Sequence, residues 1–403
     1  MQLSRRAFGA TAIAGAVSLA AGRSRAAADK VKIGVLTDMS GSLSAVLGTG
    51  SVDGTRMAVE DFGGSAAGMP VEVVFADHQN KADVGSAIAR RWLDQDGVDV
   101  ITDLGNSAVA IASQSIVKEK NKIIIISGAS SSDLTGKFCN PNSFHWGYDT
   151  YMFSAGLASE LTLQGGNTWF FLTADYAFGH ALETDATRKV EELGGKVLGR
   201  ARYPINTLDM ASLLLQAQTS GAKVIGLVAS GDDLERFIKQ GNEFGIWRKQ
   251  KAAAFGLQLY NVMSIGVESM QGIVHNSIFY WDRDDKSRDF GRRFWKRNSK
   301  PPSEAHAIAY SAATQYLKAV RAAGTKDTAT LLKVMHELPV DDLVTPGGKV
   351  RVDGRLIRPT WLLEVKPKDQ IKEGWDAFSV VREIPGEKAF RPLSESACPL
   401  VKL

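Results

Sequence analysis

From residue 31 onward short β-branched runs alternate with longer helical stretches, and this rhythm constrains the fold more than any other feature of the chain. Val31-Lys32-Ile33-Gly34-Val35-Leu36-Thr37 precedes a helical pattern over 49–62. Val71–Phe75 precedes one over 82–95, Val98–Ile101 one over 107–120, and the run Ile123-Ile124-Ile125-Ile126 follows. Four consecutive isoleucines offer no polar face, so that strand must be covered on both sides, as in a parallel sheet with helices on both faces. Four βα steps of this kind make one doubly wound lobe.

A turn-rich interval, 127–142, separates this block from a second with the same rhythm. A helix is expected over 151–164, a strand at Thr168–Leu172, a helix over 179–193 and a strand at Lys196–Ala201. Then come a helix over 210–219, a strand at Val224–Val228, a helix over 233–244 and a strand at Ala252–Phe255. Two similar lobes cover their sheets more economically than one very wide sheet. Beyond residue 280 the rhythm stops. Helical segments at 288–297, 305–323 and 328–338 must pack on an existing lobe, and Gly347-Gly348 and Asp353-Gly354 suggest turns and a hairpin before a strand at 360–365. The chain therefore crosses between lobes more than once, the topology of a hinged clamshell. The expected α/β organisation is a leader over 1–28, a first lobe from 29–148 plus 283–345, a second from 149–282 plus 346–385, and a tail from 386–403.

The leader reads as a targeting peptide: Ser4-Arg5-Arg6-Ala7-Phe8, a weakly apolar Ala/Gly stretch, Arg23-Ser24-Arg25, then Ala26-Ala27-Ala28. A twin arginine, a mild apolar region and an A-x-A site fit a Tat-type export signal, with a Sec signal as the alternative. Its four arginines account for the whole formal charge of +4, so the chain from residue 29 is formally neutral. A basic surface for nucleic acid is not supported. With 44% hydrophobic and 23% charged residues and no long apolar run beyond the leader, disordered and multi-pass membrane readings fall away. The two cysteines, Cys139 and Cys398, would meet in an oxidising compartment after export, where a disulfide is expected, two buried thiols being the alternative.

Enzymatic motifs are weak. The histidines at 78, 145, 180, 275, 306 and 336 show no HExxH or i, i+4 pair, so no metal is expected. Gly105-Asn106-Ser107-Ala108-Val109 approaches a nucleophile elbow but has Val109 where the second glycine belongs, and a helix cap is the simpler reading. Gly48-Thr49-Gly50 with Gly54 is a poor dinucleotide fingerprint, and no phosphate-binding GxxxxGK[ST] occurs, so no cofactor is expected and any energy coupling lies in a partner.

What remains is a set of small polar groups at strand C-termini, where open α/β sheets bind ligands. In the first lobe these are Ser40 and Gly41, Asn106 and Ser107, and Gly128, Ala129 and Ser130. Backbone N–H groups and serine hydroxyls at a helix N-terminus suit a carboxylate without any lysine or arginine. In the second lobe the matching positions are Asp175 and Tyr176, Ser230 and Asp232, and Gln258. Tyr148 and Tyr151, near the crossover, are candidates for lining the cleft.

Together these stretches resemble the type I periplasmic solute-binding proteins of ABC importers, in the branched-chain amino acid (leucine)-binding-like branch. Val31–Val35 with Met39-Ser40-Gly41 is similar to the opening strand and loop of that family. Ile126-Ser127-Gly128-Ala129-Ser130-Ser131 is similar to its second binding loop, and Ala174-Asp175-Tyr176-Ala177-Phe178-Gly179 to its entry into the second lobe. The resemblance spans essentially the whole chain after the leader. It implies a monomeric periplasmic protein in which a small ligand closes two lobes and the closed form docks on membrane permease and ATPase subunits. It implies Ser107 and Gly128-Ala129-Ser130 for a ligand carboxylate and Tyr176 for the second lobe. The chain departs from amino-acid-binding members at Phe255-Gly256-Leu257-Gln258, where an acidic residue for the ligand ammonium would stand. Either Asp175 or Asp232 substitutes, or the ligand is an amine-free aromatic or aliphatic carboxylate. Two alternatives remain open: a secreted serine hydrolase using Ser107, and a ligand sensor on the same fold.

Overall fold

A computed structural model describes residues 29–401. The expected leader lies outside the described residues. The first sheet has the strand order Ser65–Ala66, Met69–Asp77, Val31–Thr37, Val100–Asp103, Ile123–Ile126, Ser143–His145, parallel throughout except for the short hairpin at its edge. All four isoleucines are buried, as a strand covered on both faces requires. The second sheet is wholly parallel, in the order Lys251–Gly256, Val224–Ser230, Thr168–Ala174, Lys196–Tyr203.

Each sheet has one place where the chain reverses the direction in which it adds strands. In the first this falls between Val31–Thr37 and Val100–Asp103, in the second between Thr168–Ala174 and Val224–Ser230. A crevice opens at such a point because the flanking helices leave on opposite faces. The loops after those four strands therefore set where a ligand can sit.

The late helices belong to the first lobe. Glu304–Ala323 lies along Gly48–Asp61, the most extensive helix pair in the molecule. Gly50 and Gly54 make the approach possible, since a Cβ on Gly50 would stand 2.3 Å from the His306 ring and one on Gly54 2.3 Å from the His306 carbonyl. The glycines that gave a faint dinucleotide pattern are thus a packing seam, one turn apart on one helix face.

Three features depart from the expected organisation. A third, antiparallel sheet, Val274–Ser277, Thr360–Val365 and Phe378–Ile384, packs against the second lobe. The hairpin Lys349–Val350 and Leu356–Ile357 hangs on the first sheet, not the second: Arg355 bridges His145 in parallel, and the His145 N–H donates to the Gly354 carbonyl at 2.9 Å. The first part of 346–385 therefore packs with the first lobe, correcting its assignment to the second. Helix 151–164 is also not uniform, as residues Ser154–Ala158 form a π turn where Gly156 packs beneath Asn276.

Buried charge gathers where the chain passes between lobes. Arg355 and Arg358 are both 1% exposed. Arg355 donates to the Gly147 carbonyl and lies 3.4 Å from Asp149; Arg358 donates to the Trp146 carbonyl and to Thr345 Oγ1 at 2.7 Å. Two guanidinium groups thus stitch the crossing at 146–149 to the one at 345–358. Burial pulls their pKa values down, to about 10 for Arg355 and about 9 for Arg358.

Candidate ligand-binding site

The two crevices face each other. Between them lies a small cavity lined by Leu43, Val46 and Leu47 from the loop after the first strand, and by Gly105, Ser107, Gly128 and Ser130 from the next two. Tyr148 comes from the crossing, and Tyr176, Phe178 and Ser230 come from the second lobe. The lobes are in contact. Gly231, at φ +62°, lies so close to the first lobe that a Cβ would stand 2.3 Å from the Ser42 carbonyl oxygen. In this closed arrangement the cavity measures about 20 Å³, room for a single water, so any metabolite must be admitted by parting of the lobes or withdrawal of side chains.

The first lobe contributes polar groups through helix Ser107–Glu119. Asn106 caps it, its side-chain oxygen accepting the N–H groups of Ala108 at 2.7 Å and Val109 at 3.3 Å. With those taken, the helix presents the Ser107 N–H and hydroxyl. Ser107 Oγ accepts the Ser131 N–H at 3.1 Å, which leaves the hydroxyl proton free to donate. The backbone leading here is strained: Asp103 and Leu104 hold φ of +79° and +58°. Buried Asp103 accepts from Ser127 Oγ at 3.4 Å, and burial pushes its pKa up to about 6 although neighbouring hydroxyls oppose this. The second lobe contributes mainly aromatic surface. Burial pushes the Tyr148 and Tyr176 hydroxyls well above their usual range, with Glu304 and Asp103 adding to the effect at Tyr148 and Asp233 at Tyr176. Both rings therefore present neutral O–H groups. No lysine, arginine or carboxylate lines the cavity.

Of the residues singled out from sequence, Ser107, Gly128, Ser130, Tyr148, Tyr176 and Ser230 line the cavity together. Others are engaged elsewhere. Ser40 is exposed and donates to Asp77 at 2.5 Å, while the Gly41 N–H donates to Asp38 at 2.7 Å. Asn106 is spent on its cap, and the Ala129 carbonyl lies 2.8 Å from His145 Nε2. Tyr151 lies beneath the guanidiniums of Arg188 and Arg391, outside the cavity. Asp175 pairs with His180 at 2.7 Å, and Asp232 is half exposed, 4.0 Å from Arg236. Neither carboxylate points into the cavity, because each side chain leaves its loop on the solvent side.

Gln258 lines a separate small void, where its amide donates to Glu304 at 3.4 Å. Glu304, fully enclosed at the start of helix Glu304–Ala323, also accepts the Ile278 N–H at 2.5 Å, and burial pushes its pKa up to about 7. Sequence reasoning missed Glu304 and the apolar wall of Leu43, Val46, Leu47 and Phe178. The run Leu43–Leu47 inside a Ser/Gly loop was the available signal. Among the described residues no imidazole is hydrogen-bonded to Ser107, so the hydrolase reading gains no support from this geometry. No group of three or more metal-ligating side chains occurs among them.

The disulfide forms, with Cys139 and Cys398 at a Cα separation of 5.6 Å. No helix among the described residues is long and apolar enough to cross a membrane.

Comparison with known proteins agrees with this architecture. A family model described as periplasmic binding protein matches residues 30–370. The Leu/Ile/Val-binding protein homolog 8 of Brucella suis is 29% identical over 255 residues; the match spans 61% of this chain and 62% of that relative. A periplasmic binding protein from Burkholderia mallei is 44% identical, with a TM-score of 0.91 over 93% of this chain and all of the other. A branched chain amino acid ABC transporter periplasmic ligand-binding protein from Burkholderia xenovorans is 39% identical, with a TM-score of 0.83 and the same coverage. Two doubly wound lobes facing each other across a closed cavity, with that match over most of the chain, place this protein in the periplasmic binding protein family, on its type I, leucine-binding-like fold.

Proposed function

We propose that the chain is the extracytoplasmic substrate-binding component of an ABC importer, exported through its twin-arginine leader. It acts as a monomer that carries a small carboxylate-bearing ligand between its lobes to membrane permease and ATPase subunits. The observation that carries this reading is the cavity between the two crevices. On one side the Ser107 N–H and hydroxyl and Ser130 suit a carboxylate; on the other, Tyr148, Tyr176 and Phe178 suit an apolar or aromatic body.

The same cavity favours a ligand without an ammonium group. Asp175 and Asp232 turn outward, and Gln258 and Glu304 are occupied with each other and with Ile278. An ammonium brought into the lining would have no counter-ion and would bear the full cost of desolvation. A thermal-shift screen of residues 29–403 tests this against branched-chain and aromatic amino acids, aromatic and aliphatic carboxylates, short diacids, amides and urea. Ligand at 100 times its Kd adds about 2.7 kcal/mol to stability. Stabilisation by amine-free monocarboxylates is expected. Stabilisation by amino acids alone overturns the ligand class, and no stabilisation by any compound counts against the carrier role.

A further inference from the structure

The segment that follows the last strand, Phe378–Ile384, crosses from the third sheet to the first lobe along the flank of the second. A helical turn at Gly386–Ala389 sets Phe390 beneath the Arg355 guanidinium, 4.1 Å from it, and the Arg391 carbonyl accepts from Arg351 Nη1 at 2.6 Å. From there Arg391 reaches the second lobe. Its guanidinium pairs with Asp185 on helix Ala177–Glu192 and lies 3.2 Å from Ser132 Oγ in the first lobe. Asp185 is 4% exposed and accepts two further hydrogen bonds at 2.7 Å, from Ser132 Oγ and from Thr150 Oγ1. Four residues on, Glu395 pairs with Arg188 of the same helix, and three beyond that Cys398 is bonded to Cys139 in the first-lobe loop.

We infer that residues 386–398 form a latch on closure. One end is bonded covalently to the first lobe, and the middle is held to the second lobe by the ion pairs of Arg391 and Glu395 and by Arg391 over the Tyr151 ring. The lobes cannot part at this flank without breaking Arg188–Glu395 and disturbing Asp185, a buried carboxylate that takes partners from both lobes and from the latch. The disulfide keeps the latch anchored on the first lobe in position to meet the second-lobe helix whenever the lobes come together, so the ion pairs re-form at the high effective concentration of a tethered group. Reduction releases the tether and shifts the balance toward the open form. The inference rests on the two-lobe opening proposed above but on no ligand, and it is scored without one.

The test is hydrogen exchange of the ligand-free protein, residues 29–403, in helix 177–192 and loop 127–142, with the radius of gyration from small-angle scattering measured alongside. Exchange in both segments should accelerate in the order wild type, Glu395→Gln, Glu395→Arg. The Gln variant is expected to show roughly a two- to fivefold effect for losing a partly exposed pair. Cys139→Ser/Cys398→Ser should show the same regional acceleration and a larger radius. Glu387→Arg, an exposed site on the same segment, serves as control and should leave both readouts at wild-type values. The latch is overturned if Glu395→Arg exchanges no faster than Glu387→Arg. Where the cysteine double variant loses its circular dichroism, the Glu395 series alone decides. None of these readouts depends on binding, so failure of the ligand screen and failure of the latch are separate results.

Discussion

The cleft and the pivot of this molecule are built on opposite electrostatic plans. The cavity between the lobes is lined by hydroxyls, backbone N–H groups and apolar side chains, with no formal charge. The pivot a short distance away encloses Arg355, Arg358, Asp149, Asp185 and Glu304, each at most 5% exposed. Charges in a dry interior hold a geometry rigidly when every partner is satisfied, and are costly when one is lost. The pivot fixes how the crossings run; the cleft, free of charges that would demand fixed partners, leaves room for a ligand to supply its own.

The contrast can be attacked where it is strongest. Arg355→Ala should remove about 3–5 kcal/mol of stability, because Asp149 is left buried and uncompensated. Urea unfolding followed by circular dichroism measures it, with Arg292→Ala, an exposed arginine, as reference; equal midpoints for the two would end the claim that the pivot depends on its charges.

Next in size is the proton held by Glu304. Its pKa rises from 4.5 to about 7 on folding because burial disfavours the charged form. The contribution is therefore fully present below pH 4.5 and is lost as pH rises to about 7, since the unfolded chain gives up the proton first. On the order of 3 kcal/mol is at stake. His145, His275 and His306 act in the opposite sense: burial holds their pKa values low, so their contribution is lost as pH falls below 6.5. The measurement is thus a difference, the melting temperature of wild type minus that of Glu304→Gln across pH 4–8, and a flat difference would show that Glu304 titrates as an ordinary carboxyl.

On the cleft side, Ser107→Ala should lower the ligand-free melting temperature modestly, by about 1–3 kcal/mol of stability, because the buried Ser131 N–H loses its acceptor. It should weaken the best carboxylate from the screen by about ten- to a hundredfold, the loss of one hydrogen bond to a charged group. Calorimetry with wild type and variant reads this directly, and equal affinities would move the carboxylate elsewhere in the cavity. The smallest effect belongs to Gly231→Ala. Holding a Cβ at φ +62° costs about 1–2 kcal/mol, and the methyl would meet the Ser42 carbonyl. Scattering should show a larger radius of gyration together with that stability loss in the second lobe, whereas an unchanged radius would mean that the lobes yield at this contact.

The sequence carried the two-lobe alternation because local hydrophobic pattern decides it: Ile123–Ile126, Trp169–Leu172 and Val224–Val228 all read as strands, and all three are buried. The third sheet was not legible. Val274–Ser277 is four residues long and pairs with Thr360–Val365, far along the chain, and no local pattern encodes such a pairing. Ser107, Gly128, Ser130, Tyr176 and Ser230 come together around one cavity because strand ends at a reversal of sheet order converge by topology alone. Tyr151, Asp175 and Asp232 lie off that cavity because their side chains leave in other directions, toward Arg391, His180 and Arg236. Arg355 and Arg358 drew no attention, since an arginine beside turn residues ordinarily faces water; only the tertiary structure shows that they reach the carbonyls of 146–147.

The contact between Gly231 and Ser42 leaves the closed form no slack. In the carrier role proposed above, such a seat would work as a gauge. A ligand one methylene too bulky holds the rims apart, and one too small leaves them unsupported, so molecular size is converted into a yes-or-no statement about shape at the outer surface. A partner that touches only that surface can then discriminate among cargoes it never contacts.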